Sequence, residues 1–148
     1  MKKWLIFVAG VICFGLLAWA ITPEKPEEPE IYDLGITMTV ENLTPTGCTL
    51  NVTQSGGSPT GSVECGCDYF VEQLVDGKWT ALETPENLSW TAEGYFLSNR
   101  TETFELNWEY IYGTLPAGTY RIGKDILDWR APGNYDKQDH YTDPFTIE

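Results

Sequence analysis

The chain has 148 residues, room for one domain, and its 22 Asp and Glu against 9 Lys and Arg leave a net charge of −13. Such a surface repels phosphate backbones and anionic headgroups, which excludes nucleic acid as an expected partner and charge-driven membrane binding. Six Trp, eight Tyr and six Phe exclude disorder over most of the length, and aromatics at that density suit strands more than helices.

Lys2 and Lys3 lead into Trp4 to Ile21, eighteen residues without charge that would span about 27 Å as a helix. This N-terminal apolar helix (1–21) is either a signal peptide cleaved after Ala20, at the A-x-A match Ala18-Trp19-Ala20, or a retained signal-anchor. In both cases the lysines stay inside, the rest is exported, and the membrane is met through this segment only. Cys13 sits mid-segment behind Ile12, where lipidation would need a small side chain. Residues 22–30 (TPEKPEEPE) combine three prolines with four glutamates and read as a stiff stalk of roughly 25–30 Å. A stalk favours retention of the anchor. Beyond the apolar segment the chain carries 7 basic and 22 acidic residues, a net of −15.

From Ile31 onward the apolar residues alternate with period two. Ile36, Met38 and Val40 form one such set, Cys48, Leu50 and Val52 a second, and Phe104, Leu106, Trp108 and Tyr110 a third. Each puts apolar groups on one face of a half-buried antiparallel strand. Asp76-Gly77 between two such runs marks a tight hairpin, and Ala131-Pro132-Gly133-Asn134 marks another turn. The pattern predicts strands over 34–42, 46–54, 67–75, 78–83, 89–97, 102–112, 118–124 and 140–147, with no helix after the stalk. So many short strands imply an all-β, two-sheet antiparallel sandwich over 31–148.

Leu115-Pro116-Ala117-Gly118-Thr119-Tyr120-Arg121-Ile122 resembles the tyrosine corner of immunoglobulin-like sandwiches. Gly118 would let the chain turn sharply, and the Tyr120 hydroxyl would return to backbone a few residues upstream. With that run, Gly35 to Gly47 (GITMTVENLTPTG), Thr53 to Gly57 (TQSGG), Asp68-Tyr69-Phe70 and Asp76-Gly77-Lys78-Trp79 resemble a bacterial immunoglobulin-like domain family of exported Gram-positive proteins. The resemblance covers about 34–148. It implies a sandwich with a binding or accessory role, no catalytic residues and no cofactor.

The search for chemistry agrees. Cys48, Cys65 and Cys67 are an odd set, open to a disulfide from Cys48 to Cys65 or Cys67, or to three reduced thiols. A thiolate metal site would need a fourth ligand, and only His140, the one histidine, is on offer, with no spacing to recommend it. A single His also leaves no supported Ser-His or Cys-His pair, so no enzyme is expected. Asp125, Asp128, Asp136, Asp139 and Asp143 cluster without any calcium-loop spacing and read as solvated loop charge. Four N-x-Ser/Thr triplets, at Asn42, Asn51, Asn87 and Asn99, are incidental to Thr-rich strands. Tyr95, Tyr112, Trp129, Tyr135 and Tyr141 are hard to place in a core, whereas Trp90 and Trp108 are expected inside it. Trp129, Tyr135 and Tyr141 thus form a candidate ligand surface. The expected partner is an extracellular protein, with a glycan as the alternative.

Overall fold

A computed structural model describes residues 32–148, so the apolar segment and the stalk lie outside the described residues. Period-two patterning produces ten strands: β1 (Ile36–Thr44), β2 (Gly47–Gln54), β3 (Ser62–Gly66), β4 (Phe70–Val75), β5 (Lys78–Ala81), β6 (Gly94–Phe96), β7 (Thr101–Asn107), β8 (Gly118–Ala131), β9 (Asn134–Tyr141) and β10 (Phe145–Ile147). Among the described residues there is one helical turn, α1 (Glu109–Tyr112). All the strand pairs are antiparallel.

The strands make two sheets, β1-β2-β7 and a seven-stranded sheet organised about β8. One edge of β8 takes β4 along Tyr120–Gly123 and β3 along Ile126–Trp129; the other takes β10 along Gly118–Tyr120 and β9 along Gly123–Ala131. β3 with β4, and β9 with β10, are therefore two strands each broken by a bend. Counted so, the order is that of an immunoglobulin-type sandwich, with A, B and E on one sheet and G, F, C and C′ on the other. The facing sides share one core, in which Leu50, Val52, Val63, Val71, Leu97, Trp108, Tyr120, Ile122 and Ile126 are fully buried.

Several elements depart from the pattern-based expectation. β3 was hidden because Glu64 and Ser62 flank its two inward residues, Val63 and Cys65, in a Gly-rich context. Residues 89–92 are not strand, and only Gly94–Phe96 pairs, against β3. The strand expected to run to 112 ends at Asn107. There the Asn107 Oδ1 accepts the Glu109 N–H at 3.0 Å and the Trp108 carbonyl accepts the Ile111 and Tyr112 N–H groups, so the chain coils into α1. Tyr110, next in the alternation, is left 93% exposed. The strand expected to stop at 124 continues to Ala131 and turns back at Pro132-Gly133 into β9, where a loop was expected.

The reason is visible in β8 itself. Its inward positions run Tyr120, Ile122, Lys124, Ile126, Asp128, and the two charged members are as fully buried as the apolar ones. Both are paid for by bonds from elsewhere in the chain. From the Cys65–Ile126 pair to the Phe70–Gly123 pair, five residue steps on one strand oppose three on the other, so Gly66–Tyr69 bulges. Lys124 Nζ lies under this bulge and donates to the carbonyls of Gly66 (2.8 Å) and Asp68 (2.7 Å), with the Phe104 ring 4.5 Å away. Asp128 accepts the Thr60 N–H (2.8 Å), the Thr60 hydroxyl (2.7 Å), the Gly61 N–H (2.6 Å) and the Tyr32 hydroxyl.

Candidate functional site

Alternation along β8 and β9 decides which side chains share the outer face of the larger sheet. Trp129 stands opposite Tyr135, Leu127 opposite Lys137, Asp125 opposite Asp139, and Gly123 opposite Tyr141. The three aromatic candidates therefore come together on one face, Trp129 half-buried, Tyr135 50% exposed and Tyr141 36% exposed.

Around Tyr141 the face is built tightly. Gly123 has no side chain, and a Cβ there would fall inside the Phe70 ring, which occupies that space. Phe70 then meets Tyr141 edge-on, with centroids 5.8 Å apart. The Arg121 guanidinium stacks 3.8 Å from the Tyr141 ring and 4.5 Å from the Trp79 ring. Glu72 fixes it from the adjoining strand, at 2.6 Å from Nε and 2.5 Å from Nη2. Phe70, Glu72, Trp79 and Arg121 were not among the ligand-surface candidates read from the sequence. The available signal was Phe70 and Leu74 on the side of β4 opposite Val71, which marks a strand apolar on both faces.

Between the two aromatic ends lies a charged strip. Lys137 bonds Asp125 at 2.8 Å. Burial raises the Asp125 pKa, but hydrogen bonds from Lys137 and Asp139 outweigh it and hold the group below the usual carboxylate range. Asp139 is pushed up, first by its hydrogen bond to Asp125 and then by burial, so it is the member of the pair that keeps a proton longer. Arg130 joins Asp136 at 2.8 Å on the opposite side of the sheet, the side of the inward Asp128. Of the five aspartates read as loop charge from the sequence, Asp125, Asp128, Asp136 and Asp139 are thus bonded strand residues, and Asp143 lies between β9 and β10. Among the described residues no group of three His, Cys, Asp or Glu side chains is arranged to hold a metal ion.

The other candidates fall elsewhere. Tyr120, fully buried, donates its hydroxyl to the Pro116 carbonyl at 2.8 Å, four residues upstream. Gly118 differs from expectation: it is not among the residues with positive φ, and what it supplies is space, since a Cβ would press on Gln73 and the Tyr120 ring. Asp76 (φ 50°) and Gly77 (φ 77°) form the two-residue turn joining β4 to β5. Cys48, Cys65 and Cys67 are free thiols. Burial pushes Cys48 up to about 12 and Cys65 up to about 11, which makes both inert. Cys67 is half-buried, 3.2 Å from both oxygens of Thr91. His140 faces inward with Nε2 unpartnered, and burial lowers its pKa. Trp90, expected in the core, is 37% exposed and rests on Tyr69 with centroids 5.1 Å apart. Tyr95 packs edge-on against Phe104 at 5.0 Å, and Tyr112 is half-buried.

Two antiparallel sheets around a shared core, with a tyrosine corner at the start of β8, define an immunoglobulin-like β-sandwich. A family model described as bacterial Ig-like domain matches residues 32–146, and the chain belongs to that family. Such domains are generally non-catalytic and typically extracellular. No curated protein and no solved structure matches the chain. Among the described residues no helix is long and apolar enough to cross a membrane.

Proposed function

We propose that this chain is a non-catalytic recognition module displayed outside the bacterial cell, held by its N-terminal apolar segment, and that it engages an extracellular partner through the outer face of the larger sheet. The observation that carries this is the contrast between the two outer faces. That of β1-β2-β7 presents Thr37, Thr39, Asn51, Thr53, Thr101 and Thr103 and no aromatic ring. That of the larger sheet presents Trp79, Arg121, Tyr141, Phe70, Trp129 and Tyr135, the composition of contact-surface centres. The Glu72–Arg121–Tyr141 stack also pre-orders its side chains, which reduces the entropy lost on binding.

Affinity capture from cell-envelope fractions tests this with the full chain and its Tyr141→Ala, Arg121→Ala and Thr39→Ala variants. Loss of a captured partner in the first two and retention in the third is expected. Equal capture by all four would remove the face from consideration. Mass spectrometry of the native N-terminus distinguishes an anchor, intact through Met1 or Lys2, from a cleaved leader, beginning at Ile21.

A glycan ligand is the second reading. It is favoured by the cross-strand Trp129–Tyr135 pair with Lys137 and Asp125 beside it on the same face, in which rings could stack on a sugar face while ammonium and carboxylate groups meet hydroxyls. A glycan array separates the two readings, because here Tyr135→Ala would abolish binding.

A further inference from the structure

β7 is an edge strand: β2 pairs with one side of it and no strand pairs with the other. The ends of the ladder fix which backbone groups face outward. Gln54 N–H donates to Arg100 O and Trp108 N–H donates to Thr46 O. Bonded pairs in an antiparallel ladder recur every second residue, so Glu102, Phe104 and Leu106 turn their N–H and C=O toward β2. Thr101, Thr103, Glu105 and Asn107 turn theirs away from it. Among the described residues these outward groups make no backbone hydrogen bond to another element. Beside them lies a groove of about 420 Å³, lined by Thr103–Asn107 and by Tyr69, Trp90 and Tyr95. Its margin is acidic: Glu93 accepts the Tyr95 hydroxyl at 2.9 Å, and Glu105 projects from β7 itself.

We propose that this edge is a strand-addition site that takes an extended, basic peptide segment of a partner protein, read as apolar–basic–apolar. The outward N–H and C=O groups of Thr103 and Glu105 would pair with the added strand. Its residue opposite Glu105 continues the polar row Asn42–Thr49–Glu105, already linked by hydrogen bonds, and Lys or Arg there completes a cross-strand charge pair. The residues on either side point the other way, into the groove between Tyr69, Trp90 and Tyr95, and are apolar. A second copy of this chain fits poorly, since each brings a net charge of −13. The chain's own residues 22–30 fit no better, with three prolines lacking N–H groups and four glutamates. This site is independent of the outer face of the larger sheet.

The test uses the full chain in detergent and the labelled peptide acetyl-Thr-Lys-Val-Lys-Val-Lys-Thr-amide, read by fluorescence anisotropy and hydrogen-exchange mass spectrometry. Two isomers carry N-methyl groups, one on the lysines, whose N–H would face β7, and one on the valines, whose N–H would face away. The expected result is binding by the parent, binding about tenfold weaker for the lysine-methylated isomer than for the valine-methylated one, and slowed exchange across residues 101–107. Glu105→Lys should reverse the preference in favour of a peptide with Glu in place of Lys. Equal binding of the two isomers, or unchanged exchange at 101–107 with peptide bound, would overturn the proposal. So would slowed exchange there that tracks self-association without peptide, because the edge would then be covered by a second copy.

Discussion

Asp128 shows how much one buried carboxylate can organise. Burial raises its pKa, but hydrogen bonds from Tyr32, Thr60 and Gly61 outweigh that and bring it to about 2, against an ordinary 3.8. The sign follows: the folded state holds this group ionised more readily than the unfolded chain does. Its stabilisation, roughly 1–2 kcal/mol, is present above pH 3.8 and lost as pH falls toward 2. Asp128→Asn should lower stability at pH 7 and flatten that stretch of an acid-denaturation curve. His140 adds a shallower loss at milder acidity, since its lowered pKa makes stability fall as pH drops below 6.5. Tyr120 makes the simpler case. Tyr120→Phe removes one bond to Pro116 and should cost about 1 kcal/mol, a fall of a few degrees in Tm measured by circular dichroism. Tyr120 was legible from its Pro-Ala-Gly-Thr-Tyr context. Asp128 and Lys124 were not, because a charged residue at an inward position looks like a break in the strand until its distant partners are known.

At the level of elements, local chemistry was read well where it is self-contained. The β4–β5 turn needs two positive φ angles, Asp76-Gly77 supplies them, and the structure places both residues there. Gly77→Val should cost about 1–2 kcal/mol in chemical denaturation. A Cβ at Gly77 meets nothing within 4 Å, so the penalty is purely that of a side chain in the left-handed region. β8 and β9 were read poorly for the opposite reason. Their fourteen and eight residues are held by ladders on two edges of β8, by the Thr60 hydroxyl and by the backbone carbonyls of Gly66 and Asp68. Apart from the β8–β9 hairpin itself, none of these is a neighbour in sequence. β7 was overextended because Tyr110 keeps the alternation after the backbone has left it.

For the whole molecule, charge is the governing quantity. The four ion pairs among the described residues engage Glu72, Asp125, Asp128 and Asp136, so most of the acidic groups have no cationic partner. Mutual repulsion should dominate over attraction. Raising NaCl from 10 to 150 mM, which shortens the screening length from about 30 to about 8 Å, should therefore raise Tm rather than lower it. A lower Tm in salt would mean that the pairs outweigh the repulsion. The same excess of carboxylates favours a basic segment at the open edge of β7 and disfavours nucleic acid anywhere on the surface.

The amino-acid sequence alone determined the class of fold, the tight turn at Asp76-Gly77, the corner at Tyr120 and the family. Those depend on alternation, on φ preference and on a short local motif, all of which act within a few residues. Only the tertiary structure decided that Trp129, Tyr135 and Tyr141 share a face with Phe70, Trp79 and Arg121, and that one side of β7 is open. Both follow from strand order and register. These are set by hydrogen bonds and packing between segments tens of residues apart, where a local pattern carries no information.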